Sequence, residues 1–411
     1  MTNVMHRARP IRTVTVLATT LVVAAAIWAP QAQARRGPAP TWHRNAGESA
    51  NAVATDKDGN AYVVGNVKPG PNDWALMLRK YGPDGSLIWA RRWLPPKASF
   101  VNGRDVSLAP DGGVYVVGGV SPSGCEGSGW FIARYSPEGQ RVWLHDEAGW
   151  EGCTIADTYV SVAVGGGRLI VAGDRYGCCG NPFNHGYLRS YSTGGKPLWK
   201  LPFDAPGIDP SFYDGAEGVA AGSGRFFVTG WAATALQQDE TDFVDQDVVV
   251  QAITTSGHVA WSYTPSDHGK HDVDRGTAIA VRGDRLRVTA DVDAHVFVRS
   301  HAWLGALSLG GHPLWSKGWG ATKHGNKSTT AGVSIAPTGA TYVVGSRRDK
   351  TDQGWDMVVR MFGPGGGLIW QTVLERGIQI LEGTDAAASG GSAFVTGNDS
   401  DGGGHLWRFG N

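Results

Sequence analysis

Four cysteines and five methionines among 411 residues leave little room for thiol or thioether chemistry. Charge is sparse as well. Charged residues are 18% of the chain, and Lys+Arg and Asp+Glu stand at 37 each. Without a basic patch or a Lys/Arg stripe, nucleic acid is not an expected partner. Nucleophile elbows, phosphate-cradling glycine loops and zinc-binding helices are all missing, which removes the familiar hydrolase, nucleotidase and metalloprotease signatures. What the chain has in excess is glycine, 60 residues, and tryptophan, 17. Many short strands and tight turns, with flat aromatics filling gaps between sheets, account for both. The composition is too apolar and too regular for a disordered chain.

The first 34 residues read as a leader. Arg7, Arg9 and Arg12 form a basic start, Val14 to Ala29 is apolar, and Ala32-Gln-Ala34 fits a small-residue cleavage site. The apolar stretch is shorter than the roughly 20 residues a spanning helix needs. No arginine pair of the twin-arginine type and no cleavage-site cysteine suggest another export route or a lipid anchor. The expectation is Sec-type export to the periplasm or the medium, an uncleaved anchor being the alternative, and a mature chain of net charge about −3.

Internal repetition dominates the remainder. Gly-x-x-x-Trp recurs at the same place in six repeats, at Gly85–Trp89, Gly139–Trp143, Gly195–Trp199, Gly257–Trp261, Gly311–Trp315 and Gly366–Trp370. Each repeat opens with an apolar strand such as Val160-Ser-Val-Ala-Val. A Gly-rich turn and a β-branched strand closed by Gly follow, as in Tyr62-Val-Val-Gly65 and Phe227-Val-Thr-Gly230. The fifth repeat departs, with Val288-Thr-Ala290. A third strand and the Trp-bearing fourth strand complete the unit. A seventh Trp, Trp42, lacks a first half, and the C-terminal His405–Asn411 supplies one. Four strands per unit, repeated seven times, specify an all-β, seven-bladed β-propeller over residues 35–411. Residues 40–45 then complete the blade begun by 383–411, and each Trp packs between neighbouring blades.

The Asp56–Gly65 hairpin (Asp-x-x-Gly-Asn-x-Tyr-Val-x-Gly) and the Lys80–Trp89 hairpin (Lys-Tyr-x-x-x-Gly-x-x-x-Trp) resemble the seven-bladed β-propeller repeat proteins exported by bacteria. The resemblance covers essentially the whole mature chain. It implies the fold and almost nothing about activity.

Hairpin turns within the repeats are short, whereas the other connections are long and irregular, so a site is expected on the long-loop face. Cys125, Cys153, Cys178 and Cys179 fall in three neighbouring loops there. In an exported chain they read as two disulfides. A vicinal Cys178–Cys179 bond would hold α-carbons at about 3.8 Å, under the usual minimum of about 4.4 Å, which favours bridges across loops.

Alignment of the repeats also brings out an acidic column. Glu48, Asp157, Asp214, Asp274 and Glu382 stand five residues before the central apolar residue of their first strands, with Val101 and Ser328 completing the column. Short carboxylates there cap backbone N–H groups, or they ring the channel entrance as a site for Ca²⁺ or a cationic ligand. His268, His271, Asp272 and Asp274 crowd one connection in no recognised ligand spacing. The run from Asp239 to Asp247 lacks the Gly and terminal Glu of a calcium loop. The leading expectation is a monomeric binding or scaffold module for a protein or glycan. The competing one is a hydrolase or polysaccharide lyase at the channel mouth, using Tyr213, His268 or His271 with acidic ring members. A purely structural envelope component is a third.

Overall fold

Seven short strands pack around one axis: Ser49–Thr55, Ala98–Leu108, Ala156–Gly165, Asp214–Gly222, Arg275–Arg282, Ser328–Ile335 and Leu381–Ser389. Each packs on the next, and the last packs on the first, so the ring is closed. The computed structural model describes residues 35–122, 129–147, 156–176, 185–204, 214–233, 246–265, 273–292, 301–320, 327–348, 354–375 and 380–410. Every inner strand starts a four-stranded antiparallel blade, numbered here 1 to 7 in chain order. Arg35–Asn411 forms one unit. In blades 1 and 2 a parallel bridge between Trp74 and Phe100 joins the two sheets.

Blade 7 takes its outer strand from the other end of the chain. Trp42–Gly47 pairs antiparallel with Gly404–Phe409, Trp42 opposite Arg408. Side chains reinforce that pairing. His405 Nε2 and Asp399 Oδ2 lie 2.7 Å apart, and His405 Nδ1 and His43 Nε2 lie 3.0 Å apart. The carboxylate accepts from Nε2–H, and the direction of the His405–His43 bond follows from the ring tautomers.

The Gly-x-x-x-Trp motif has a direct physical meaning. Each motif glycine closes a turn with φ between +79° and +89°, where a side chain is strained. The Trp of one blade lies against the glycine of the next. A Cβ on Gly257 would come within 2.8 Å of the Trp199 ring, and one on Gly311 within 2.8 Å of Trp261. The same indoles donate Nε1–H to the turn they cover: Trp89 to Pro137 O at 3.1 Å, Trp199 to Thr255 O at 3.0 Å, Trp261 to Leu309 O at 2.9 Å. Trp42, Trp143 and Trp315 do likewise to Pro83, Thr193 and Pro364. Trp370 faces blade 7, whose third and outer strands come from opposite chain ends, so no hairpin turn meets it. There Arg35–Arg36 runs parallel to Leu368–Leu374, with Arg35 opposite Trp370. Gly37 N donates to Gln371 O at 2.6 Å, and Thr372 Oγ1 to Pro38 O at 2.9 Å.

A second device repeats in the inner strands. Each carries an extra residue against its neighbour at the same place, a β-bulge at Asn51, Arg104, Val160, Glu217, Thr277, Ala331 and Thr384, and blade 2 has a second at Ser99. The glycine closing the second strand sits opposite the residue before the bulge. A Cβ at Gly65, Gly118, Gly230 or Gly345 would overlap the carbonyl of Ser49, Asn102, Gly215 or Thr329. The recurring β-branched strand ends in glycine because the bulge brings that carbonyl against it. Blade 5, with Ala290, has Gly276 as its pairing partner.

Candidate functional site

The inner strands are sheet edges, so the N–H groups freed by the bulge need acceptors from elsewhere. Side chains of the preceding blade supply them in two tiers. In the upper tier the residue after the closing glycine, or after Ala290 in blade 5, accepts: Asn398 Oδ1 from Ala50 N at 2.7 Å, Asp174 Oδ1 from Ala216 N at 3.2 Å, and Asp291 Oδ1 from Thr330 N at 2.6 Å. Ser346 Oγ does the same for Gly383 N at 3.2 Å. Asn66 donates instead, Nδ2 to Val101 O at 2.6 Å. In the lower tier Asp105 Oδ2 accepts from Val162 N at 2.7 Å, Ser161 Oγ from Val219 N at 3.2 Å, and Asp385 Oδ2 from Val53 N at 2.9 Å. Neither tier was read from the sequence. A polar column after the closing glycine, Asn66, Asp174, Asp291, Ser346 and Asn398, is its visible signal.

The acidic column resolves differently from expectation. The bulge in blade 7 lies between Gly383 and Asp385, which makes Leu381, not Glu382, the counterpart of Glu48 and Asp214. A one-residue offset reverses the face, so Leu381 is buried and Glu382 is exposed. The true column is Glu48, Val101, Asp157, Asp214, Asp274, Ser328 and Leu381. Val101, Asp214, Asp274, Ser328 and Leu381 are buried, and Glu48 is half-buried. Val101 packs on Leu76 and Leu78 of the preceding blade, and Asp214 Oδ1 accepts from Gly186 N on the third strand of blade 3. Asp157 lies in the inner strand of blade 3, with its side chain outside the described residues. Tyr213, His268, His271, Asp272, Cys125, Cys153, Cys178 and Cys179 also lie outside them. Among the described residues no three His, Cys, Asp or Glu side chains converge to hold a metal ion.

An acidic arc nevertheless remains at the long-loop ends of blades 3 to 5. Burial raises Asp174 well above the ordinary carboxylate range, and the charges of Glu217 and Asp214 add to it. Arg275, stacked 4.9 Å from the Trp231 ring centre, works against that rise. Trp231 Nε1 in turn donates to Glu217 Oε1 at 3.3 Å. Burial pushes Asp214 up to about 7 despite the Gly186 N–H bond, and Asp291 to about 7 despite its bonds from Thr330. In the lower tier burial lifts Asp105 to about 6. Asp385 reaches about 8, through burial and then the Asp105 charge.

These groups share one sign of linkage. A carboxylate raised on folding binds its proton more tightly in the native state. Its stabilising contribution is complete below the unfolded value near 4 and is lost as pH rises through the folded values of about 6 to 8. The melting temperature should therefore rise by several degrees between about pH 8 and about pH 5. Asp385→Asn, which keeps an acceptor for Val53 N, should flatten the upper half of that profile. Differential scanning calorimetry across the range tests both, and a melting temperature that falls steadily on acidification contradicts the assignment.

No protein-family model matches the chain, and no curated protein matches it. Among solved structures it is similar to that of Drosophila Plexin A in complex with Semaphorin 1b, with a TM-score of 0.50 at 10% identity, covering 91% of this chain and 87% of that one. It is also similar to Raptor of Chaetomium thermophilum, with a TM-score of 0.55 at 9% identity. That match covers 92% of this chain and 30% of the other, so this chain spans under a third of Raptor's length. At such identities the likeness extends to the propeller fold alone.

Proposed function

We propose that the chain is an exported binding module, cut after Ala34, which presents the long-loop face of its ring to a protein or glycan. The observation that carries this reading is the use made of polar groups at the mouth. Asp174, Asp291, Ser346 and Asn398 are committed to backbone N–H groups of the next blade, which holds the strand ends fixed. A rigid ring with irregular connections on one face suits recognition, because a pre-ordered platform loses little entropy on binding. The cysteines would tie the loops of blades 2 and 3 by two disulfides. A cross-linked pull-down with the chain from Arg35 onward as bait tests the reading. One enriched protein or glycan, lost when the Cys125–Cys179 region is replaced, supports it; an empty pull-down rejects it.

One observation favours a second reading. Asp214, held near 7 at the mouth beside the Asp174–Glu217 pair, has the proton affinity of a general acid at neutral pH. In that case the protein is a hydrolase or polysaccharide lyase. Activity on a broad polysaccharide and ester panel, abolished in Asp214→Asn, would establish it, and silence across the panel would remove it.

A further inference from the structure

On the long-loop face the inner strand of blade 2, Ala98–Leu108, first crosses the third strand of blade 1, where Phe100 bridges in parallel to Trp74. Phe100 is 38% exposed, and no other Phe, Tyr or Trp among the described residues is exposed. Every other exposed large apolar side chain among them stands on an outer strand, Ile380 apart. Trp74 lies beside Phe100, ring centres 6.5 Å apart and planes at 60°, and Lys68 Nζ stands 5.0 Å from the Trp74 ring centre.

Two donors follow Phe100 along the strand. Pairing with the second strand of blade 2 runs unbroken from Phe100 to Gly103. Phe100 and Asn102 therefore point to the same side, about 7 Å apart, while Val101 between them packs into blade 1. A neighbouring amide orients Asn102. Asn51 Nδ2 donates to Gly103 O at 2.7 Å, which only an N–H can do, and the same nitrogen meets Asn102 Oδ1 at 3.0 Å. Asn102 Nδ2 is thus turned away from Asn51 and has no partner among the described residues. Arg104, the bulge residue, is exposed and makes no hydrogen bond or ion pair with a described residue. Lys97, just before the strand, is exposed as well. The strand's one carboxylate does not offset them, because Asp105 accepts from Ser161 Oγ and Val162 N of blade 3.

A strip about 13 Å long thus presents one aromatic ring, an amide donor and a guanidinium. A docked protein covers about 800 Å² and is anchored by several apolar side chains, which this neighbourhood does not offer. A lone ring among donors suits a small, rigid ligand that is apolar on one face and rich in acceptors at its edge. A pyranose is built that way: its C–H groups pack on the negative face of an aromatic ring, and its edge carries hydroxyls. A carboxylate on the same sugar meets a guanidinium through two parallel hydrogen bonds.

We infer that this strip is a subsite for an acidic sugar, a uronate stacked on Phe100 with hydroxyls at Asn102 and a carboxylate at Arg104. The inference rests on the binding-module reading and narrows its ligand to a glycan bearing carboxylates.

The test is calorimetric titration of the chain from Arg35 onward with trigalacturonate, trimannuronate and the full methyl ester of each. At least one free acid should bind in the millimolar range or tighter, and its ester, with the same rings and hydroxyls but no charge, about tenfold more weakly or worse. Phe100→Ala should weaken the acid about tenfold or more. Arg104→Gln should leave the ester unchanged and bring the acid down to it. Melting temperatures of both variants are checked against wild type. Should Phe100→Ala fail to fold, exposed Arg104→Gln still decides, because a merely structural residue would not move the preference for acid over ester. No heat with either acid, equal affinity for acid and ester, or binding unchanged in Phe100→Ala overturns the inference. A protein captured in the pull-down and lost in Phe100→Ala, while both acids give no heat, rejects the glycan and leaves the binding-module reading standing.

Discussion

A chain that lacks residues 35–47 should lose its native fold at ordinary temperatures. Those residues supply the outer strand of blade 7 and the segment lying along Trp370. Without them Gly404–Phe409 becomes a bare edge, Phe394 loses the Trp42 ring 5.8 Å away, and the Pro83 turn loses its indole donor. Truncating one large buried aromatic costs about 3–5 kcal/mol, and here a whole strand goes with it. Domains are stable by about 5–15 kcal/mol, so the loss approaches the total. The truncated chain should appear in aggregates or show a melting temperature lower by more than about 10 °C. Trp42→Ala should fall between truncation and wild type. A monodisperse truncated protein that melts within a few degrees of the chain that begins at Arg35 contradicts the account of closure.

The second large effect is expected at a single methyl group. In Gly118→Ala the new Cβ overlaps the carbonyl oxygen of Asn102 and comes within 2.9 Å of the Phe131 ring. Relief needs the second strand of blade 2 to move off its bulged neighbour at the Gly103–Gly118 pair. Overpacking of backbone against backbone should cost about 3 kcal/mol or more. Gly402→Ala is the control: φ is +80° and nothing lies within 4 Å, so only backbone strain of about 1–2 kcal/mol applies. The ranking is what urea denaturation must reproduce. Equal losses at the two sites would mean that the carbonyl contact is not what fixes glycine there.

The same pair of glycines shows why some of this molecule is legible in the sequence and some is not. Features that act through backbone shape leave a residue that only glycine or tryptophan can fill, so they recur at a readable period. Gly257 before Trp261 and Gly230 after Val228-Thr are of that kind. The acidic column was misread at its end because alignment by apolar residues cannot see a one-residue bulge. Shifting blade 7 by that one residue puts Leu381 in the core and Glu382 in solvent. The cap tiers were missed for a related reason: several chemistries meet the same need. Asn398, Asp174 and Ser346 all accept a backbone N–H, and no identity links them.

Closure by strands from opposite ends also imposes a schedule. Thr41 and Arg408, bonded N to O at 2.7 Å, are 367 positions apart. At roughly 5–20 residues per second, the ribosome needs tens of seconds to make the partner that the first strand awaits. Six blades can assemble in order as they emerge, each on the one before. The earliest segment made is the last to be used, and during that interval Trp42 and its strand have no native seat. Folding time for this ring is therefore bounded from below by the clock of synthesis, and whatever shelters the N-terminal strand in the meantime shares in determining yield.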